Sequence, residues 1–172
     1  MDGFGFKYLS VIKECMDQVY REIPNLVAPK DRRIAHEQSI SFRLGYYLSN
    51  ALKDKMGYYI DLEYNNDYGK KGDEKYNSEG KKVRPDIIFH DRKKNNLFVI
   101  EMKKGDVSDA REKVWNYMQK NTQHYKEEYC IYHLKEYPYI IEAFKRNEEN
   151  DDDIEKKYLN VIKTVVSKNR HR

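Results

Sequence analysis

The sequence predicts an α/β protein, a sheet flanked by helices. Three observations predict it. Residues 31–53 place apolar side chains at helical spacing. Residues 84–90 and 97–104 are rich in Ile, Val and Phe and are separated by a six-residue polar break. A second helical stretch and another short apolar run follow, at 108–120 and 129–134.

The elements follow in chain order. Residues 4–23 put Tyr8, Leu9, Ile12, Met16, Val19, Tyr20 and Ile23 on one broad side, and Pro24 ends that helix. The helix at 31–53 opens at Asp31 as a candidate N-cap and closes before Gly57. At ~100° per residue, Ile40, Leu44, Leu48 and Ala51 lie on the same side as Glu37, so an acid sits on the apolar stripe. A buried carboxylate needs a partner or a metal. The competing account places Glu37 at the domain edge near a helix start, where the macrodipole favours an acid.

A first strand is predicted over 58–65. The segment 66–82 then carries five lysines and Tyr68 and Tyr76, punctuated by glycine. Loops of that length are functional or disordered. As an arm beside a nucleic-acid site, it would contact phosphates through Lys70, Lys71, Lys81 and Lys82 and stack bases on its tyrosines. A solvated hairpin tip is the alternative.

Residues 84–90 and 97–104 read as a hairpin. Antiparallel pairing sets His90 opposite Leu97, Ile88 opposite Val99 and Asp86 opposite Glu101. Period-two alternation then groups Asp86, Ile88 and His90 with Leu97, Val99, Glu101 and Lys103, and sends Ile87, Phe89, Phe98, Ile100 and Met102 to an apolar, core-facing side. Two carboxylates opposite each other on a sheet have Cβ atoms ~5 Å apart and repel. A divalent cation would remove that repulsion, and oxygen ligands suit Mg²⁺ or Mn²⁺. A plain surface ion pair between Glu101 and Lys103 is the alternative.

Beyond the hairpin, a helix is predicted over 108–120 with Ala110, Val114, Tyr117 and Met118 inward, then a strand over 129–134. Residues 139–144 are a short apolar piece, helix or strand. An acidic run at 148–153 precedes a final amphipathic helix from Ile154, marked by Tyr158, Val161, Ile162, Val165 and Val166, which docks on the core or on a second subunit.

The order of helix Glu37, Asp86 after Pro85, and Glu101-Met102-Lys103 at the end of a hydrophobic strand resembles the PD-(D/E)XK nuclease superfamily. The resemblance covers residues 31–135. It implies a restriction-endonuclease-like core, a mixed four- to five-stranded sheet with flanking helices in the order α-β-β-β-α-β, with extra N- and C-terminal helices. It implies that Asp86 and Glu101 ligate Mg²⁺ or Mn²⁺, that Met102 lends its backbone carbonyl, and that Lys103 sits beside the attacking water. Glu37 would support the site, through a water or as a ligand. Glu63 and His90 are secondary candidates, and Arg84 and Lys104 join the loop lysines as candidate nucleic-acid contacts.

The function expected is a metal-dependent nuclease acting on DNA, an endonuclease rather than an exonuclease. The alternative is a non-catalytic module of the same fold that binds nucleic acid or a protein partner. A homodimer would let one site serve each strand. Glu101→Gln is expected to lose Mg²⁺ binding while leaving metal-free stability equal or raised.

Composition sets outer bounds. The 172 residues, 39% of them hydrophobic, fit a single domain with an N-terminal helix and linker (1–30), the nuclease-like core (31–135) and a C-terminal extension (136–172). No apolar run approaches the ~18 residues that span a bilayer, and the start has no signal-peptide pattern. Cys15 and Cys130 show no paired spacing, which suits a reducing cytoplasm, and the five histidines form no zinc pattern. A net charge of +4 is a mild basic bias.

Overall fold

The computed structural model describes residues 6–23, 37–63, 84–93, 95–104, 112–114, 125–133, 139–145 and 162–165. Helix α1 is Leu9–Glu22 and helix α2 is Glu37–Ala51. The strands are β1 (Tyr59–Leu62), β2 (Ile87–His90), β3 (Asn96–Lys104), β4 (Glu127–His133), β5 (Tyr139–Lys145) and β6 (Ile162–Val165). They form one sheet in chain order, antiparallel throughout except between β3 and β4, which run parallel. The architecture is α/β, with a mixed sheet flanked by helices, consistent with a restriction-endonuclease-like core.

One face of the sheet is covered by α1 and α2. Helix α1 buries Ile12, Cys15, Met16 and Val19 at the i, i+3, i+4, i+7 spacing that the sequence requires of a core-facing stripe. Helix α2 buries Ile40, Leu44 and Leu48, with Ala51 at its exposed end. Both meet Ile87, Phe89, Phe98, Ile100 and Met102, the apolar set of the hairpin, together with Tyr129, Ile131 and Ile141 from the next strands. Complete burial of each such side chain contributes ~1.5–3 kcal/mol.

The N-terminus of α1 is held from the sheet. Glu127 on β4 accepts hydrogen bonds from the backbone N–H of Lys7 (2.6 Å) and Tyr8 (3.1 Å), and Tyr129 donates its hydroxyl to the same carboxylate. A carboxylate at a helix start answers both the unsatisfied N–H groups and the macrodipole. These bonds hold the chain just ahead of Leu9, where the helix begins. Tyr47 of α2 donates to Glu22 of α1 (2.6 Å), which fixes the two helices to each other.

The opposite face is also buried. Ile88 and Val99 pack with Tyr125, and Val114 packs with Cys130 and Phe144. Val114, expected on the inner stripe of the second core helix, does face inward; of that helix only 112–114 are described.

Three expectations change. The pair His90–Leu97 is displaced: Phe89 faces Phe98 but His90 faces Asn96, so Leu97 is an extra residue in β3 and its side chain joins the α1–α2 core. The reason lies in the turn, where the Asp91 carboxylate accepts from the N–H of Lys93 (2.8 Å) and Asn95 (3.0 Å) while Arg92 takes a left-handed φ of 56°. That tight local turn consumes the connection early and leaves a β-bulge. The undecided piece at 139–144 is strand β5, paired with β4. Residues 162–165, expected in a helix, form β6 on the sheet edge. Residues 31–36, 64–83 and 154–161 lie outside the described residues.

Candidate active site

The site forms where β2 and β3 part. The ladder runs from His90–Asn96 down to Ile87–Ile100, and its register continued by one residue sets Asp86 opposite Glu101. The next opposed pair is Pro85 and Met102. Pro85 has no N–H to give, so a full ladder pair cannot form there. Instead the Met102 N–H donates to Asp86 Oδ2 at 2.7 Å. The Pro-Asp pair thus turns the Asp86 side chain into the partner that the β3 backbone lacks at Met102.

Glu101 is fully buried. Its Oε2 accepts from Lys113 Nζ at 3.2 Å, and Lys113 is itself about half exposed. Lys113 was not among the residues singled out from sequence. The alternative reading paired Glu101 with Lys103 at the surface; the structure buries Glu101 and sets Lys113 against it. Lys103 lies two residues along β3, half-buried, and so projects to the same side as Glu101.

Glu37 and Glu63 complete the acidic neighbourhood. Glu37 opens α2; Ser41, one turn on, donates to the Glu37 carbonyl (3.0 Å) and touches Met102 Sδ at 3.2 Å, which seats the helix start on β3 beside the site. Glu63 donates its backbone N–H to the Asp86 carbonyl (3.2 Å), has a left-handed φ of 50°, and accepts from Gln38 Nε2 (3.1 Å). The strand β1 therefore neighbours β2, and the residue after it, Glu63, reaches Asp86 while Asp61 lies toward the other end of β2.

The electrostatics report the crowding. Burial pushes the Asp86 carboxyl above its ordinary range, and the charges of Glu63 and Glu37 push the same way; the Met102 amide and Lys113 oppose them without cancelling. Burial would lower the Lys113 ammonium, but Glu101, followed by Asp86 and Glu37, outweighs it and holds Lys113 above the usual lysine range. Lys113 therefore senses Glu101, Asp86 and Glu37 together.

His90 is placed away from this group, at the far end of β2. It is buried with Nε2 2.8 Å from Asp61 Oδ2, and Arg92 closes on the same carboxylate through Nε (2.9 Å) and a terminal nitrogen (2.6 Å) while stacking over Tyr59. Burial raises the Asp61 carboxyl, yet Arg92 and His90 win and hold it below the ordinary range. Arg84 is exposed two residues before Asp86. The candidate contacts Lys70, Lys71, Lys81 and Lys82 lie outside the described residues, as does the side chain of Lys104.

No protein-family model matches the chain, and no curated protein matches it. Among solved structures it is similar to the cryo-EM structure of a DrdV–DNA complex, with 15% identity and a TM-score of 0.47. The match covers 90% of this chain and 12% of that one. At that degree of likeness, residue roles rest on the geometry alone.

Among the described residues, no three or more His, Cys, Asp or Glu side chains are gathered as a ready cage for a cation. The side chains near the Asp86–Met102 bond are hard-oxygen donors nonetheless: Asp86 there, and Glu101 at the next position of β3. That set fits Mg²⁺ or Mn²⁺ in kind, since Mg²⁺ takes one or two protein carboxylates and retains several waters.

Proposed function

We propose that this chain is a divalent-metal-dependent nuclease that hydrolyses phosphodiester bonds in DNA. The observation that supports it best is the Asp86–Met102 hydrogen bond at the point where β2 and β3 diverge, opposite the buried Glu101. It ties the Asp86 carboxylate to the β3 backbone one residue before Lys103, which supports the reading that the Pro-Asp and Glu-Met-Lys resemblance implies.

In this reading Asp86, Glu101 and the Met102 carbonyl hold the ion. A Mg²⁺ or Mn²⁺ ion bound there supplies a water of lowered pKa and offsets the charge that develops on the phosphoryl oxygens. Lys103 orients the attacking water and stabilises negative charge on the phosphate. Glu37, at the helix start, braces the site from the other side of the gap. Ile88 and Val99, the fully buried pair two residues from Asp86 and Glu101 along the hairpin ladder, would limit water there and strengthen each charge interaction. Arg84, exposed two residues before Asp86, would meet a flanking phosphate.

One observation favours the non-catalytic alternative: Glu101 already has a cationic partner in Lys113, as a structural acid would. The test is incubation with supercoiled, linear and branched DNA in Mg²⁺ or Mn²⁺, beside Asp86→Ala and Lys103→Ala. Metal-dependent nicking that falls by about 100-fold or more in both variants is the result expected. Wild type and variants behaving alike would leave only the binding module.

A further inference from the structure

We propose that Lys113 is the internal counter-ion of this site: it holds Glu101 in the metal-free protein and must release it when a divalent cation binds. The inference rests on the metal-site reading above and adds a positioning residue to it. Glu101 has no exposure, so its charge needs a partner in every state of the folded protein. In the metal-free state the Lys113 ammonium, 3.2 Å away, is a cationic partner of this carboxylate. A divalent ion gripped by Glu101 would compete with it, because two cations on one buried carboxylate repel.

The surroundings of Lys113 suit a group that lets go. Its neighbour Val114 is fully buried against Cys130, so the backbone is anchored. The side chain itself is 46% exposed and has a flexible four-carbon stem, so the ammonium can swing to water without moving the helix. Glu101 stands opposite Cys130 in the β3–β4 register, which puts Val114's docking point directly beside the carboxylate that Lys113 holds. The affinity of the site for metal is then set by a competition internal to the chain.

Mn²⁺ binding by the full chain, followed by calorimetry, tests this on wild type and Lys113→Met. Removing the competitor is expected to tighten Mn²⁺ binding by about fivefold to tenfold, the factor that corresponds to releasing an ion pair of ~1 kcal/mol. A second measurement uses wild type alone: acetylation of Lys113 by an amine-reactive ester, mapped by mass, should speed up severalfold when Mn²⁺ is added. Should Lys113→Met fail to fold, Lys113→Gln carries the affinity comparison. Equal or weaker Mn²⁺ affinity in the variant, with unchanged labelling in wild type, overturns the inference and leaves the metal site standing. No Mn²⁺ binding by either protein overturns both.

Discussion

A carboxylate with no exposure and an ammonium half in water make an unequal pair, and the inequality predicts which partner matters more to stability. Lys113→Met takes the ammonium from the buried Glu101 carboxylate, and a thermal melt of metal-free protein should show a loss of about 1–3 kcal/mol. Glu101→Gln removes the buried charge and leaves a lysine that can rehydrate, so its cost should stay below ~1 kcal/mol while the stabilisation by Mg²⁺ disappears. If Glu101→Gln proves the more damaging of the two, Glu101 is a structural acid and not a reserved ligand. Asp61 behaves differently. Arg92 and His90 hold its carboxyl below the ordinary range despite burial, so its stabilisation is present above an unfolded pKa of about 4 and is lost as pH falls through the lower folded value. Asp61→Asn should therefore weaken the protein at neutral pH and flatten the acid limb of its stability curve, measured by denaturant unfolding between neutral pH and strong acid.

Elements are positioned by a few close approaches. A Cβ built on Gly45 of α2 would lie 2.7 Å from Leu62 Cδ2 on β1, so the glycine lets the helix lie down on the edge strand. Gly45→Val should cost about 1–3 kcal/mol through overpacking and, by lifting β1, disturb Glu63 beside Asp86; unfolding midpoints and Mn²⁺ affinity would both register it. The hairpin was the most legible element in the sequence, because alternation and loop length together specify a register. That logic placed Ile88 against Val99 and the acids on one side. It failed at one residue, since the Asp91 side-chain turn and the left-handed Arg92 are local choices that a count of loop residues does not contain. The strand β6 was misread for a different reason: Ile162 and Val165 fit a helical spacing, but the β-branched run Val161, Ile162, Thr164, Val165 and Val166 was the stronger signal.

At the scale of the molecule, the central strands β2 to β5 are buried, and the proposed site lies where β2 and β3 stop pairing. The sequence could reveal the acids, because a carboxylate on an apolar stripe or in a buried strand is anomalous wherever it occurs. It could not reveal Lys113. A lysine on the flank of a helix is ordinary, and only the packing of Val114 on Cys130 brings that flank to Glu101. Filling the site should stabilise the whole domain, by about 2.7 kcal/mol at a cation concentration 100 times Kd, a rise of about 5–10 °C in Tm for a chain of this size. The most direct measurement is the anomalous map of a crystal soaked in Mn²⁺. The account predicts a peak about 2.1 Å from a carboxylate oxygen of Asp86 and of Glu101, with the Lys113 ammonium withdrawn. A map with Lys113 still on Glu101 and no ion between the two acids would contradict it.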